Sequence, residues 1–327
     1  MTMKRLFITL LTALLLVPSG SLQAKKKSEN NLRLLYWNIQ NGMWDGQRDN
    51  YDRFVNWVKT QNPDICVWCE GGSYLLTEST KTSPKEERYF PAGWPEVAKR
   101  YGHDYVFVGG MRDPFPQVIT SKYPIDSLGS FIGSKPDSVI VHGSGWAKVK
   151  VRDKDVNIIT VHLQPYAYWR YLPDEKKDES ARNHGGEMYR RMELEWIFNH
   201  TVKTKENPAE ELWIMAGDFN ARSRRDNFKY RWSLSDPRYT VHKYIEDRTP
   251  YFYDVVAEMF PEIFCPSYSS NTRIDYVYMT RPMLKAVRKV VASPDEYTRP
   301  VSAGVGKYKR PSDHMPIIVD FNIDKIK

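Results

Sequence analysis

Residues 212–220 read Leu-Trp-Ile-Met-Ala-Gly-Asp-Phe-Asn, an apolar run that ends abruptly in polar residues. The run over residues 212–216 has the composition of a buried strand. Asp218 and Asn220 follow it directly, although carboxylate and amide side chains are rarely found in a buried strand. Loops and strand ends held by a rigid sheet are where functional groups are commonly found. This stretch therefore predicts a sheet whose edge carries a site.

The same pattern recurs along the chain, because other apolar segments also end or begin with an ionisable or amide residue. The residues are Asn38 after Tyr36-Trp37, Glu70 after Cys69, His162 within residues 160–163, Asp275 after Ile274, and Asp313 with His314 before Met315. Each one alone has an ordinary explanation as a turn former, a helix cap or a satisfied core group. The whole set requires a further explanation, since burying so many unpaired charges would cost on the order of several kcal/mol each. A divalent cation and a phosphate bound among them would remove that cost.

Helix and strand patterns are mixed along the whole chain after residue 31, without a repeat or a low-complexity linker. Strands are predicted at residues 32–39, 65–69, 105–108, 118–121, 146–151, 156–163, 212–216, 273–279 and 316–321. Helices are predicted at residues 51–60, 94–100 and 187–203. The mixture indicates one α/β or α+β domain over residues 32–327 rather than two domains.

The N-terminus has the pattern of a secretory signal peptide over residues 1–24. Lys4 and Arg5 precede an apolar run at residues 6–17, and small residues follow at 19–24. The run of about 12 residues is short for a membrane span, although a short N-terminal anchor is the alternative. We expect export to the periplasm or the cell exterior, a polar leader at residues 25–31, and no stable membrane insertion once the signal is removed. No obligate protein partner is evident.

Charge and cysteine content say less about function. The formal net charge of +8 suits an anionic substrate but is also common on proteins that bind none. Cys66 and Cys69 have C-x-x-C spacing, but residues three apart in a strand point to opposite faces. A zinc site would need two more ligands, and none stands out. We interpret both as small buried residues, with a disulfide to Cys265 as the alternative in an exported protein.

Six segments resemble the motifs of the endonuclease/exonuclease/phosphatase superfamily, which has the deoxyribonuclease I-like fold. They are WNIQNG (37–42), PDICVWCE (63–70), TVHLQ (160–164), AGDFNARS (216–223), TRIDYVYM (272–279) and PSDHMPI (311–317). The combination is specific and extends over nearly the whole chain after the leader. It implies a four-layer α-β-β-α sandwich, with two mostly antiparallel sheets packed face to face and helices outside. It also implies divalent-metal-dependent hydrolysis of a phosphoester substrate.

The resemblance implies a role for each residue of the set. Glu70 would bind the metal ion, Mg²⁺ or Mn²⁺, and Asn38 and Asp313 would lie near the same ion. Asp218 would orient or deprotonate the attacking water, and Asn220 would hold a phosphate oxygen.

The two histidines complete the implied machinery. His314, polarised by Asp275, would contact the phosphate, and His162 would protonate the leaving group or stabilise the transition state. A histidine at the position of His162 resembles deoxyribonuclease I, neutral sphingomyelinases and inositol-phosphate phosphatases more than abasic-site endonucleases.

Two neighbouring segments are candidates for substrate contact. Tyr168, Trp169 and Arg170 lie in the polar and aromatic stretch at 164–186 and could stack on bases or a sugar; the alternative is a surface loop packed by its own aromatics. Arg222 could bind an anion or be merely solvated. We expect an exported nuclease or phosphodiesterase that uses metal-activated water and a His-Asp pair. The alternatives are a phosphomonoesterase or sphingomyelinase-like phospholipase C acting on a small or lipid phosphate, and a non-catalytic binding module on the same fold.

Overall fold

The computed structural model describes residues 30–40, 50–72, 93–110, 115–131, 139–300 and 311–326, and their strands form two six-stranded sheets. The first sheet contains β1 (Asn31–Asn38), β2 (Ile65–Cys69), β3 (Tyr105–Gly109), β4 (Gln117–Ser121), β11 (Val287–Val291) and β12 (Ile317–Asn322). The second contains β5 (Ile125–Phe131), β6 (Ser144–Val151), β7 (Lys154–His162), β8 (Trp213–Asp218), β9 (Phe252–Asp254) and β10 (Asp275–Thr280). Their orders are β11-β12-β1-β2-β4-β3 and β5-β6-β7-β8-β10-β9.

Strand direction brings the polar strand ends to one edge of the molecule. The β1/β2 and β7/β8 pairs are parallel, and the other pairs are antiparallel. Parallel neighbours end at the same edge, and a strand antiparallel to them begins there. In the second sheet, His162 is therefore paired with Asp218, and Asp218 with Asp275. In the first sheet, Asn38 is paired with Cys69, the residue before Glu70.

The described residues contain eight α-helices, four of which cover the outer faces of the sheets. They are α1 (Asp52–Gln61), α2 (Trp94–Arg100), α3 (Asp174–Arg182), α4 (Gly185–His200), α5 (Asn227–Tyr230), α6 (Thr240–Arg248), α7 (Val255–Met259) and α8 (Arg281–Ala286). Residues of α1 and α2 pack on the first sheet, and residues of α4 and α6 pack on the second. In β1, Leu34 and Tyr36 face the second sheet whereas Leu35 and Trp37 face the helices, because alternate side chains point to opposite faces. The four-layer sandwich expected from the resemblance is confirmed.

Several elements that the sequence did not predict lack a strong apolar pattern; α6 was also not predicted, although it buries Val241, Tyr244 and Ile245. Strand β5 is largely exposed, β9 has three residues, and β11 carries Arg288 and Lys289. Helix α3 has no buried residue, so it appeared only as part of a polar stretch. Some boundaries also differ: β1 begins at Asn31, in the predicted leader, and α4 ends at His200 rather than at residue 203.

The three cysteines are free thiols. Cys69 packs between the sheets and Cys66 packs under the outer helices, as expected of residues three apart in a strand. The disulfide alternative is therefore not realised. The predicted signal peptide at residues 1–24 lies outside the described residues. Among the helices that the structure describes, none combines the length and the apolar composition that crossing a membrane requires.

Candidate active site

A cleft of about 640 Å³ lies where the polar strand ends of the two sheets meet. Its lining includes Glu70, His162, Asp218, Asn220, Asp313 and His314, all of which the sequence predicted. Asn38 and Asp275 are fully buried beneath them and are hydrogen-bonded to members of this set. All eight predicted metal-binding and catalytic residues therefore come together.

Asn38 joins the carboxylates of the two sheets. Its side-chain Nδ2 donates hydrogen bonds to Glu70 Oε1 and to Asp218 Oδ2, both at 3.1 Å. Its Oδ1 accepts a hydrogen bond from the Gln40 backbone at 3.0 Å, and its backbone oxygen accepts one from Ser312 Oγ at 2.6 Å. In this arrangement the Asn38 side chain orients both carboxylates, and its Oδ1 keeps a second lone pair for a further partner.

Two of the site residues have left-handed backbone conformations at the ends of their strands. The φ angles are 58° at Glu70 and 48° at Asn220. Residues other than glycine adopt this region at a cost and mostly where the surroundings enforce it. The Asn220 backbone donates to Asp218 Oδ1 at 2.8 Å, and its side chain donates to the Leu163 backbone oxygen at 2.9 Å. Asn220 therefore fixes the Asp218 carboxylate against the end of β7 while lining the cleft.

The close approach of β7 and β8 depends on a glycine. A Cβ atom added to Gly217 would lie 1.9 Å from the Val161 backbone oxygen, well inside the 3.0 Å that real Cβ atoms keep. No larger residue fits without moving the strands apart. The glycine before Asp218 is therefore needed for the register that sets His162 beside that carboxylate.

His314 is held by a buried carboxylate. Its Nδ1 lies 2.8 Å from Asp275 Oδ2, and Asp275 also accepts hydrogen bonds from Tyr36 Oη at 2.6 Å and Ser267 Oγ at 2.7 Å. Because the carboxylate accepts the proton of Nδ1, Nε2 faces the cleft, 3.8 Å from Asp218 Oδ2. Burial opposes protonation of the ring, but the charges of Asp275 and Asp218 outweigh it and raise the pKa of His314 to about 10.

His162 has the opposite electrostatic environment. Its Nε2 lies 3.8 Å from Glu70 Oε1 and 4.0 Å from Asp218 Oδ2. Its ring stacks on His142 with centroids 4.4 Å apart, and Phe115 meets His142 edge-on at 4.6 Å. Burial, reinforced by the neighbouring histidines, lowers the pKa of His162 well below its ordinary value, and burial lowers the pKa of His142 to about 3. Both rings are therefore neutral near pH 7.

The donor set fits a hard divalent cation. Glu70, His162 and Asp218 each offer one ligand atom within 4.8 Å of the others. Asp313 Oδ1 is buried and has no hydrogen-bond partner among the described residues. Burial and the charge of Asp275 raise the pKa of Asp218 well above its ordinary value, so a cation here would stabilise the charged form. The carboxylate oxygens of Glu70, Asp218 and Asp313 are the kind of ligand that hard divalent cations prefer.

Asp218, Asp275 and His314 also bring one ligand atom each within 4.8 Å of the others. There, however, His314 Nδ1 and Asp275 Oδ2 already satisfy one another at 2.8 Å. The Glu70 side of the cleft is therefore the better metal position.

Of the predicted substrate-binding residues, Arg222 lines the cleft. It is half-buried and makes no ion pair with any residue in the described part of the chain. The two arginines that follow are engaged elsewhere: Arg224 pairs with Glu246, and Arg225 pairs with Glu258 at 2.9 Å. Arg222 is therefore the member of this cluster available to an anion in the cleft.

The other three predicted substrate residues, Tyr168, Trp169 and Arg170, are not among those that line the cleft. Tyr168 stacks on Tyr166, with ring centroids 5.2 Å apart. Trp169 packs on Tyr189 with ring centroids 5.7 Å apart, and its backbone N–H donates a hydrogen bond to Ser180 Oγ of α3 at 3.0 Å. The aromatic segment is thus packed largely on itself and on α4, and Tyr166 is its aromatic residue at the cleft wall.

Several cleft residues were not predicted from the sequence. They are Gln40, Phe115, His142, Glu187, Arg190, Arg238 and Tyr268. One signal was present: Glu187, Arg190 and Glu193 are charged residues at three-residue spacing in a helix predicted to pack on the core. His142 is followed by Gly143 and Gly145, and this pattern gives no indication that the histidine lines a site.

The sequence profile described as "Endonuclease/Exonuclease/phosphatase family" matches residues 35–314. The chain belongs to this family. Members of the family are hydrolases that act on phosphoester bonds, so the protein is a phosphoesterase. No curated protein sequence matches the chain.

Solved structures similar to this family member include an AP endonuclease from Archaeoglobus fulgidus, with a TM-score of 0.57 and 17% identity over 89% of this chain and 99% of that one. An endonuclease/exonuclease/phosphatase from Beutenbergia cavernae DSM 12333 has a TM-score of 0.56 and 16% identity over 90% and 72%. TDP2 from D. rerio, complexed with single-strand DNA product, has a TM-score of 0.52 and 16% identity over 90% and 100%. At this level of identity the likeness concerns the fold.

Proposed function

We propose that this phosphoesterase is an exported nuclease or phosphodiesterase that uses Mg²⁺ or Mn²⁺ and a water nucleophile. The observation that carries the proposal is the convergence of Glu70, His162, Asp218 and His314, from both sheets, on one cleft. Arg222, which has no ion-pair partner in the described chain, supports an anionic substrate at the same place.

Glu70 and Asp218 would hold the cation, with Asp313 beside it and Asn38 orienting the carboxylates. When bound, such an ion neutralises phosphate charge and makes a nearby water more acidic. The protein supplies the proton transfers on either side of the phosphorus atom.

The geometry around the two histidines separates their roles. His162 Nε2 lies 4.0 Å from Asp218 Oδ2 and would accept the proton that the water loses as its oxygen bonds to phosphorus. Asp275 holds His314 Nδ1, so His314 Nε2 faces the cleft and would stabilise the phosphate and donate a proton to the departing oxygen as its bond to phosphorus breaks. The products are an alcohol and a phosphomonoester. This assignment gives the acid role to His314 rather than to His162.

A second candidate is a phosphomonoesterase or a phospholipase C-like enzyme acting on a small phosphate. A cleft of about 640 Å³ is of the size of small-molecule sites. Tyr166 and Glu187 bound it beside the strand ends, as expected if a compact group adjoins the phosphate.

A substrate panel tests the reaction. Purified protein would be assayed with bis(p-nitrophenyl) phosphate, p-nitrophenyl phosphate, DNA, RNA and sphingomyelin, in Mg²⁺, Mn²⁺ or EDTA. We expect turnover that requires the metal and falls at least about 100-fold in Glu70→Ala, Asp218→Ala and His314→Ala. Glu258→Ala, which removes a surface carboxylate, is the control. Full activity in EDTA, or in His314→Ala, refutes the mechanism.

Export is tested separately from the chemistry. The full-length chain would be expressed in its cell of origin and its location and N-terminus determined. We expect the mature protein outside the cytoplasm, beginning near residue 25. Recovery of the intact N-terminus in the cytoplasm would refute export and leave the catalytic proposal untouched.

A further inference from the structure

The two histidines of the site differ in what holds their rings. His314 Nδ1 is bound by Asp275 Oδ2 at 2.8 Å, so a hydrogen bond fixes that ring. His162 Nδ1 is buried and has no hydrogen-bond partner among the described residues. The torsion that turns an imidazole has broad, roughly two-fold minima, and a bond to the second nitrogen usually sets the orientation of the ring. Another contact must therefore orient His162.

A second histidine lies flat against the His162 ring. His142 is 4% exposed, and the centroids of the two imidazoles lie 4.4 Å apart with 20° between their planes. Phe115 stands nearly perpendicular to both rings, with its centroid 4.6 Å from that of His142 and 6.0 Å from that of His162. Aromatic rings in such arrangements attract one another. Turning the His162 ring out of the stack would lose these contacts.

The backbone on the N-terminal side of His142 is tied to the end of β7. Glu193 is fully buried in α4 and accepts hydrogen bonds from the Val141 and Gln164 backbones, both at 2.9 Å. Val141 precedes His142, and Gln164 lies two residues beyond His162. One carboxylate therefore joins the two segments that carry the stacked rings.

The backbone on the C-terminal side of His142 is tied to β7 as well. Ser144 Oγ donates a hydrogen bond to the Thr160 backbone oxygen at 2.6 Å, and the Gly145 backbone donates one to Thr160 Oγ1 at 2.8 Å. Thr160 lies two residues before His162 in the same strand. The chain is thus held against β7 both before and after His142, so the ring of His142 is a fixed support.

The nitrogens of His142 are not placed for chemistry of their own. Both are buried and have no hydrogen-bond partner in the described part of the chain, so neither reaches a group bound in the cleft. His142 is also outside the described clusters in which three side chains bring ligand atoms within 4.8 Å of one another. What His142 offers the site is the face of its ring.

We propose that His142 is a positioning residue, which holds the His162 ring by stacking so that Nε2 keeps facing Asp218. The stack does for His162 what the hydrogen bond from Asp275 does for His314. This inference deepens the proposed function and rests on it, because it requires His162 to take the proton from water. His142 acts through His162, so its loss lowers kcat and leaves KM nearly unchanged.

Two substitutions separate the ring of His142 from its nitrogens. His142→Ala removes the stack, and because a displacement of about 1 Å in a catalytic group can cost about 100-fold, we expect kcat for bis(p-nitrophenyl) phosphate to fall by about that factor. KM should stay within about twofold of wild type. His142→Phe keeps a stacked ring without nitrogens, so kcat should return to within about fivefold of wild type.

The matched control replaces a buried histidine outside the cleft. His103 is 1% exposed, and its ring centroid lies 5.1 Å from that of Tyr101. Its Nε2 lies 3.0 Å from the Pro63 backbone oxygen, at the opposite end of β2 from Glu70. His103→Gln should lower Tm and keep kcat within about twofold of wild type.

Nuclear magnetic resonance tests the stack without turnover. The chain has 7 histidines, and the ring signals of His162 are those that disappear in His162→Ala. Protons above an aromatic face are shielded, so the His162 ring protons should be shifted upfield in the wild type. The shift should be lost in His142→Ala and retained in His142→Phe.

The outcomes separate this inference from the proposed function. Absence of bis(p-nitrophenyl) phosphate hydrolysis by the wild type with any metal ion overturns the proposed function, whatever the ring-proton shifts. With an active wild type, the positioning role is overturned if folded His142→Ala keeps kcat within about threefold, or if folded His142→Phe is as slow as His142→Ala. An equal fall of kcat in His103→Gln also overturns it. If neither His142 variant folds, an upfield shift of the wild-type His162 protons supports the inference and its absence overturns it.

Discussion

Replacing Gly217 by alanine adds one methyl group between β7 and β8. The new Cβ atom would begin 1.9 Å from the Val161 backbone oxygen, so the strands must separate by about 1 Å to reach the 3.0 Å lower limit of real contacts. A displacement of that size stretches the neighbouring inter-strand hydrogen bonds beyond useful length. Losing two or three bonds that contribute about 1 kcal/mol each gives a destabilisation of about 2–3 kcal/mol. For a domain of about 300 residues, whose unfolding entropy at Tm is about 0.6 kcal/mol/K, that lowers Tm by roughly 3–5 °C.

The same displacement acts on catalysis through the register of the two strands. His162 and Asp218 are directly paired across β7 and β8, and Gly217 precedes Asp218. A misplacement of about 1 Å in a catalytic group can lower the rate about 100-fold. We therefore expect kcat/KM of Gly217→Ala to fall by about that factor at a temperature where the protein is still folded.

Thermal unfolding followed by circular dichroism, together with turnover of bis(p-nitrophenyl) phosphate, measures both effects. The matched control is Gly93→Ala, because a Cβ atom there meets nothing within 4 Å. Gly93 lies at the N-cap of α2, so the control is expected to lose no more than about 1 kcal/mol. A Gly217→Ala protein whose Tm and kcat/KM match those of the control would refute the reasoning.

Three further predictions follow from other parts of the structure. Asp275→Asn removes the carboxylate that fixes the His314 ring, so kcat should fall about 1,000-fold or more while the protein stays folded. A fall of less than tenfold in steady-state kinetics would contradict this. Arg222→Ala should lower kcat/KM at least about tenfold through loss of a contact to the anion, and Arg225→Ala, which breaks a surface pair, should leave it near wild type; equal effects would exclude the anion contact. Burial lowers the pKa of His103 from 6.5 to about 4, so the folded protein favours the neutral ring. The contribution of the neutral ring to the free energy of unfolding is fully present above pH 6.5 and is lost as the pH falls to 4. The loss over that range is about 3 kcal/mol. Urea unfolding of His103→Gln should show a smaller loss over that window, and an identical loss would show that this histidine is not responsible.

The strands that build the site could be predicted because their apolar runs stop at residues with no place in a core. Asn38 and Asp218 each follow such a run, and both lie at the shared edge of the sandwich. Strand β11 could not be predicted in this way, because it lies at a sheet edge and its exposed Arg288 and Lys289 hide the apolar pattern. Helix α3 is polar throughout, so periodicity gave no signal for it.

The identity of the site residues could be predicted further than their arrangement. The sequence indicated that His314 and Asp275 form a pair through the family resemblance, whereas the support of Asp275 by Tyr36 and Ser267 follows only from the packing of the sheets. Glu187 was not predicted, because a charged residue near a helix N-terminus is usually exposed. Its burial depends on how the segment after β7 packs against α4, and local sequence patterns do not report such contacts between distant segments.

The site is divided between the two sheets. Asn38, Glu70 and His314 come from the first sheet, and His162, Asp218 and Asp275 come from the second. The hydrogen bonds from Asn38 to Asp218 and from His314 to Asp275 cross between them. Neither sheet alone holds the whole set of site residues, so the enzyme can turn over a substrate only once the two sheets have packed together. Turnover is thus a direct reporter of sheet docking.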